Sequence, residues 1–301
     1  MAGKPAVRAH APAKINLLLR VLERRADGFH DLRTLFQSIA LHDTLTVRAI
    51  RGPFHLACTD PACPTDRTNL VWRAAERAWN AAGRKGAPRN VAIRLTKRIP
   101  MQAGLGGGSS DAAAALRVLG ARWRVKTSTL RRIAASLGSD VPYFFEGGTV
   151  LAGGRGEVLQ PIADLPAFWV VLVLPPFGVR TAEAYGWLDQ DRLLLQRAGP
   201  HPRAVTRARR GARVFQGQDV VESNDLEATV AKRHPEIRWI VRGLTRAGAT
   251  YAGMSGSGSA VFGLFGQRAA AERAARALAK GTARTIVTRT LGRAPYQRMA
   301  L

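Results

Sequence analysis

Pro100-Met101-Gln102-Ala103-Gly104-Leu105-Gly106-Gly107-Gly108-Ser109-Ser110-Asp111 decides how this chain is read. Four of the five residues from Gly104 to Gly108 are glycine, and two hydroxyls follow. Before it, Asn90 to Thr96 (NVAIRLT) alternates apolar and polar residues as a strand does. After it, Asp111 to Leu119 (DAAAALRVL) is dense in strong helix formers. Strand, glycine loop and helix start together present bare backbone N–H groups and the positive end of a helix to an anion. Glycine lets the main chain approach phosphate oxygens closely and adopt positive φ. Ser109 and Ser110 add donors and a candidate oxygen for Mg2+. A plain connecting turn would not need this composition.

Familiar phosphate loops do not fit. No Gly-Lys-Ser/Thr follows the glycines, which excludes a Walker A loop. A Rossmann fingerprint would open the first βαβ unit of the chain and need an acidic residue about 20 positions on. His-Arg-Asp and Asp-Phe-Gly, the protein-kinase signatures, are absent.

The chain has 301 residues, 46% of them hydrophobic, enough for one large domain or two smaller ones. No apolar run approaches the roughly 20 residues needed to span a bilayer. No cleavable signal pattern precedes Pro12, so a cytoplasmic protein is expected. Cys58 and Cys63 lack the further close ligands of a zinc site and read as ordinary loop cysteines. The net charge is +25, and 39 of the 46 basic residues are arginine. They are scattered, with one denser stretch at Arg203, Arg207, Arg209, Arg210 and Arg213. No nucleic-acid module accompanies them, so neither a nucleic-acid nor a membrane partner is expected. A positive surface does favour capture of anionic nucleotides.

Taken in order, residues 7–22 read as a strand interrupted by Pro12 and then a second apolar strand. Lys14 is a lone charge beside that run, by itself compatible with a solvated strand edge. Asp27-Gly28 signals a turn. Phe29 and His30 follow it, an aromatic face and a two-way hydrogen-bonding ring, the chemistry that stacks a base and reads its edge. A surface histidine is the plainer alternative. A strand over Thr44 to Ile50 follows a His42-Asp43 turn. Helices are expected over Asn69 to Ala82, Ser128 to Leu137, Pro235 to Ala247 and Gln267 to Lys280. Strands are expected over Phe168 to Leu174, Ala260 to Phe265 and Thr282 to Leu291. Asp140 lies in a turn, Gly138-Ser139-Asp140-Val141-Pro142, where it could simply cap. Thr181 is a candidate N-cap, and Asn224 with Glu227 is close to a capping box. Gly253-Met254-Ser255-Gly256-Ser257-Gly258-Ser259 is a second glycine/serine loop. A boundary is expected near Asp164-Leu165-Pro166.

Five ordered motifs then carry a resemblance over nearly the whole chain: Pro12-Ala13-Lys14-Ile15-Asn16, Asp27-Gly28-Phe29-His30, the glycine loop, Ser139-Asp140-Val141-Pro142, and Met254-Ser255-Gly256-Ser257-Gly258. Together they resemble the GHMP small-molecule kinases. Lys-Ile-Asn and Asp-Gly-Phe-His are similar to the branch that acts on a diphosphocytidyl-linked methylerythritol. The resemblance implies an α+β fold of two domains, 1–165 and 166–301. The first would be ribosomal-protein-S5-domain-2-like and bind nucleotide; the second would be a ferredoxin-like α/β sandwich. It implies ATP-dependent phosphorylation of the 2-hydroxyl of 4-diphosphocytidyl-2-C-methyl-D-erythritol, in non-mevalonate isoprenoid synthesis, with Mg2+ bridging the ATP phosphates and Ser110, by analogy with related kinases, a candidate ligand.

Residue by residue, the resemblance makes Asp140 the catalytic base and puts Lys14 beside the transferring phosphoryl group. Pro100 to Ser110 would hold ATP. Asn69 and Lys97 would flank the adenine pocket, although a helix cap and an exposed strand lysine explain them as well. Asn16, Phe29, His30, Thr181 and Tyr185 would bind the cytidyl substrate, with Tyr185 opposite Phe29 closing a base sandwich. Phe29 stands where the family motif has tyrosine, so any phenolic contact there is lost. Gly253, Ser255, Gly256, Ser257 and Gly258 would close on the phosphates. Small-molecule substrates and a monomer or weak homodimer are the expected associations. A kinase of homoserine or mevalonate is a second possibility. Asp27-Gly28-Phe29-His30 argues against it, because those acceptors carry no base. The third possibility, set by charge, is a nucleic-acid-binding protein without turnover.

Overall fold

The computed structural model describes residues 6–197, 213–215, 218–220, 224–279 and 283–300. Arg203, Arg207, Arg209 and Arg210 lie outside the described residues.

The chain opens with two long antiparallel strands, β1 (Val7–Arg24) and β2 (His30–Pro53). Neither breaks where the sequence suggested. Pro12 sits inside β1, at a register shift between Pro12 and Lys14, where its missing N–H disrupts no regular ladder. His42-Asp43 is not a turn. β2 runs straight through it because the Asp43 side chain is fully buried and accepts the backbone N–H groups of Arg98 and Ile99. A polar pair that looks like punctuation is here an internal anchor.

A short strand, β3 (His55–Cys58), leads to helix α1 (Leu70–Ala81). Asn69 caps α1: its side-chain oxygen accepts from Val71 N at 2.8 Å, a bond worth about 1 kcal/mol. Val71, Ala74, Ala75, Ala78 and Trp79 form the buried stripe. Strand β4 (Arg89–Thr96) pairs antiparallel with β2 and parallel with β3. Helix α2 (Gly107–Trp123) begins inside the glycine run, four residues earlier than composition indicated. Helices α3 (Thr127–Leu137) and α4 (Tyr143–Glu146) and the hairpin β5 (Thr149–Gly153), β6 (Val158–Pro161) complete the first half.

The second half contains β7 (Trp169–Leu174), α5 (Thr181–Arg197), the small hairpin β8 (Arg213–Phe215), β9 (Gln218–Val220), and α6 (Asp225–Arg233). It continues with α7 (Glu236–Arg246), β10 (Tyr251–Met254), β11 (Val261–Phe265), α8 (Arg268–Leu278), β12 (Arg284–Leu291) and α9 (Arg293–Ala300). Four of these, β8, β9, β10 and α9, had no expectation attached. α5 starts at Thr181 itself, so Thr181 is its first residue rather than its cap, and its hydroxyl faces Ser257 at 3.2 Å.

β12 joins the two halves. Residues Arg284 to Arg289 pair with β7, and Thr290 and Leu291 pair with Ile39 and Ser38 of β2. The resulting ten-stranded sheet runs β10-β11-β7-β12-β2-β4-β3, with β1, β5 and β6 joined at β2 and β5. One core packs α1, α2, α3 and α9 on the first half of the sheet, and a second packs α5 to α8 on β7 and β11. A third core joins the halves: Ile15, Leu17 and Ile39 meet Ala103 and Leu105 of the glycine loop, with Leu172 and Phe262 from the second half. This middle core sets the floor of the cleft described next.

Candidate active site

The glycine loop is shaped by two left-handed glycines, Gly104 and Gly106, both at φ +72°, after Gln102 at φ +53°. A Cβ on Gly106 would lie 2.8 Å from the Phe144 ring and 3.1 Å from the Lys14 side chain. Gly106 caps α2 with no side-chain bond. The first N–H groups of a 17-residue helix therefore point outward without intrahelical partners, an anion cradle with the helix dipole behind it.

In front of this loop lies a cleft of about 900 Å³. Pro100, Met101, Gln102, Ala103, Gly104, Leu105, Gly106, Gly107, Gly108 and Ser109 all line it. Ser110 does not. It is nearly fully buried, and its hydroxyl donates to Pro12 O at 2.7 Å. That bond ties α2 to β1, so the expectation of Ser110 as a Mg2+ ligand is corrected: its oxygen faces the protein, not the cleft.

Lys14 reaches the cleft floor from β1, 4% exposed, while its backbone N–H donates to Leu105 O at 3.0 Å. Its ammonium donates to Asn16 Oδ1 and to Gly104 O at 3.0 Å, and lies 3.4 Å from the Asp140 carboxylate. Asp140 is 32% exposed, open to the cleft, in the turn between α3 and α4. Asn16 is fixed at both ends, since its Nδ2 donates to Thr34 Oγ1 at 2.8 Å. Lys14, Asn16 and Asp140, far apart in sequence, thus meet beside the phosphate cradle.

Phe29 and His30 line the same cleft farther along. Phe29 is 53% exposed, with the Arg155 guanidinium 5.0 Å from its ring centre. His30 is buried and its Nε2 lies 2.8 Å from Asp189 Oδ1. Tyr185 stacks on the His30 ring at 5.4 Å and 24°. Tyr185 was expected opposite Phe29 across a bound base; both line the cleft, and the ring stacked directly on Tyr185 is that of His30. Burial pushes the Tyr185 phenol well above its usual value, so it stays neutral. Thr181 and Ser257 also line the cleft.

Lys97 lines the cleft, but it is not an exposed strand lysine. Its ammonium is buried between Asp43 and Asp111, with Asp111 Oδ2 at 2.8 Å. Two buried carboxylates share this one cation. The cost of burying the second charge pushes Asp111 up to about 7, and its Oδ1 has no hydrogen-bond partner. Asn69 is absent from the lining: its oxygen caps α1 and its Nδ2 donates to Pro64 O at 2.6 Å. The structure supports the cap for Asn69 and a buried ionic anchor for Lys97.

Of the second glycine loop, only Gly256 and Ser257 line the cleft. Ser255 sits behind it, donating to Gly104 O at 2.9 Å and accepting from Asn16 N at 3.3 Å. Asn224 caps α6 through Leu226 N and also donates to Met254 O and Gly256 O, at 2.9 and 2.7 Å. Glu227 accepts from Met254 N at 2.9 Å. The expected capping box is therefore only half formed, and its remaining polar groups hold the second loop. Cys58 ends β3, and burial, with Cys58 beside it, pushes the Cys63 thiol up to about 12.

Sequence reading missed Asp189 and Arg155. Asp189 had a usable signal, standing four residues after Tyr185 and so on the same face of a helix. Arg155 had none, being one arginine in a glycine turn. Among the described residues, no group of three or more His, Cys, Asp and Glu is placed to hold a metal, and no helix is long and apolar enough to cross a membrane.

Residues 69–148 match the model of the GHMP kinases N terminal domain, and residues 203–283 that of the GHMP kinases C terminal. The 4-diphosphocytidyl-2-C-methyl-D-erythritol kinase of Moorella thermoacetica is 44% identical over 284 residues, covering 93% of this chain and 98% of that protein. The protein of the same name from Anaeromyxobacter dehalogenans (strain 2CP-C) is 45% identical, covering 95% of this chain and 91% of that one. A crystal structure of 4-(cytidine 5'-diphospho)-2C-methyl-D-erythritol kinase superposes with a TM-score of 0.74 at 36% identity, covering 95% of this chain and 100% of that one. A homoserine kinase from Cytophaga hutchinsonii shares the fold, with a TM-score of 0.67 at 18% identity and coverage of 97% and 96%. On the motifs, the cleft and these relatives, the chain belongs to the GHMP kinase family, in its 4-diphosphocytidyl-2-C-methyl-D-erythritol kinase branch.

Proposed function

We propose that this protein transfers the terminal phosphoryl group of ATP to the 2-hydroxyl of 4-diphosphocytidyl-2-C-methyl-D-erythritol, giving the 2-phosphate and ADP. The observation that carries the proposal is the Lys14–Asp140 pair, 3.4 Å apart, between a phosphate cradle on one side and a base pocket on the other. ATP supplies the phosphoryl group when bound. Phosphoryl transfer asks a protein mainly to position the reactants and to meet developing charge.

Each role follows from a placement already described. The backbone N–H groups at the start of α2 hold the phosphates, and the glycines permit the close approach. Asp140 accepts the proton of the substrate hydroxyl. Lys14, held by Asn16 and Gly104 O, meets the negative charge that grows on the transferring group. Phe29, His30 and Tyr185 receive the cytosine. Arg155, beside Phe29, adds positive charge for the diphosphate. The chain offers Mg2+ little: Ser109 replaces Ser110 as the available hydroxyl, and nucleotide phosphates and water would supply most of the ligands. A cytoplasmic monomer or weak homodimer completes the proposal.

An ADP-release assay with MgATP and the cytidyl substrate tests it, run beside Asp140→Asn. Wild-type turnover is expected, with a fall of at least about a hundredfold in the variant while ATP affinity stays within a few-fold. Activity in the variant close to wild type would remove Asp140 as the base. Absence of wild-type turnover, with ATP still bound, would remove the proposed acceptor.

A further inference from the structure

His30 is bound on one edge and open on the other. Its Nε2 meets Asp189 Oδ1 at 2.8 Å, and its face is covered by Tyr185. Tyr185 and Asp189 are both on α5, four residues apart, so one helix face supplies both the stacking plane and the carboxylate. His30 itself begins β2, in the other half of the chain. A carboxylate can only accept a hydrogen bond, so Nε2 is the nitrogen that carries the hydrogen. In the neutral ring, Nδ1 is then a lone pair. Nδ1 makes no hydrogen bond among the described residues, and His30 lines the cleft.

The geometry points to Asp189 as a positioning residue for base selection: by keeping the hydrogen on Nε2 of His30, it leaves Nδ1 as an acceptor suited to the exocyclic amino group of cytosine. Uracil carries a carbonyl oxygen at that place. Two lone pairs would then face each other, with the buried acceptor unpaired, a mismatch that hydrogen-bonding sites reject strongly. This inference rests on the cytidyl substrate proposed above and adds what selects its base. Nothing in it requires Asp189 to touch the substrate.

The test compares kcat/KM for the cytidine-diphosphate substrate and its uridine counterpart, with ATP, in wild type, Asp189→Asn and Asp189→Ala. Wild type should prefer the cytidine compound by about a hundredfold or more. Both variants should narrow that ratio by about tenfold, mainly through a higher KM for the cytidine compound, while KM for ATP moves by less than about twofold. The isosteric Asn variant guards against a folding defect in the Ala variant, because an amide can serve either tautomer. Nitrogen-15 spectra of His30 supply a readout that a purely structural role would leave alone. They should show hydrogen on Nε2 only in wild type and a mixture in Asp189→Ala. An unchanged base preference in both variants, or wild-type hydrogen on Nδ1, overturns the inference while the kinase stands. Wild type that turns over neither compound removes the kinase proposal, and this one with it.

Discussion

The loop from Gly104 to Ser109 meets the cleft along its whole length, whereas the loop from Gly253 to Ser259 reaches it only through Gly256 and Ser257. Both are runs of glycine and serine. The first ends in a 17-residue helix whose N–H groups face the cleft; the second follows a four-residue strand and leads into another. The second loop packs its main chain against the first: a Cβ on Gly256 would lie 3.2 Å from Gly104 O. Ser255 O would lie 2.0 Å from a Cβ on Gly104, and Ala260 N donates to Ala103 O at 3.2 Å. One loop is open to a ligand; the other is the brace that holds it. Composition alone does not separate these two uses of glycine, because both need close backbone approach.

That contrast can be broken from either side. The largest effect is expected at Gly104→Ala. It puts a side chain at φ +72° and drives it into the Ser255 carbonyl, a main-chain atom that cannot swing aside. Left-handed strain and overpacking together should cost about 3–5 kcal/mol, visible as a lower urea midpoint. An unchanged midpoint would mean the two loops are not braced. Lys97→Met attacks the first loop from beneath, leaving Asp43 and Asp111 buried without a cation. A loss of about 3–5 kcal/mol is expected, again by urea unfolding. A near-neutral result would show that the two carboxylates do not depend on that charge.

Gly106→Ala should instead act on function. Its Cβ would press on Phe144 and Lys14 rather than on the brace. The expected outcome is a tenfold or greater fall in kcat/KM for ATP, with about 1–3 kcal/mol lost in stability. Equal effects on stability from Gly104→Ala and Gly106→Ala, with ATP kinetics alike, would erase the distinction between the loops. Ser255→Ala removes two hydrogen bonds of the brace and should cost about 1–2 kcal/mol, with little change in KM for the cytidyl substrate.

A further test concerns pH. Asp111 holds its proton to about 7 when folded, against an ordinary value of 3.8. Folding therefore takes up a proton between those values, and stability falls as pH rises from about 4 to 7. Asp111→Asn should flatten that part of the stability curve and gain, relative to wild type, at pH 8. Urea midpoints at pH 5 and pH 8 check this, and an unaltered difference between them would place the proton elsewhere.

Much of the site was legible because its chemistry sits in short contiguous runs. The glycine loop, Lys14 with Asn16, and Asp140 in its turn could each be found locally, and the resemblance supplied their order. The helices of the first half were legible for the same reason: α1 and α3 have an apolar stripe at helical spacing. What failed were punctuation marks that tertiary partners overruled. Pro12 was absorbed at a register shift, and His42-Asp43 runs through a strand because distant backbone N–H groups satisfy Asp43.

The sequence by itself determined that this chain has a glycine-supplied backbone suited to phosphate, that a lysine and an aspartate are available for transfer, and that an aromatic and a histidine are available for a base. Those are properties of residue type and near neighbours. Only the tertiary structure decided which hydroxyl faces the cleft, Ser109 rather than Ser110, and which carboxylate each lysine meets: Lys14 the cleft-facing Asp140, Lys97 the buried Asp43 and Asp111. It alone brought Asp189 to His30 across 159 positions of chain. Such pairings depend on how β12 and the middle core lock the two halves together, a long-range geometry that no local spacing encodes.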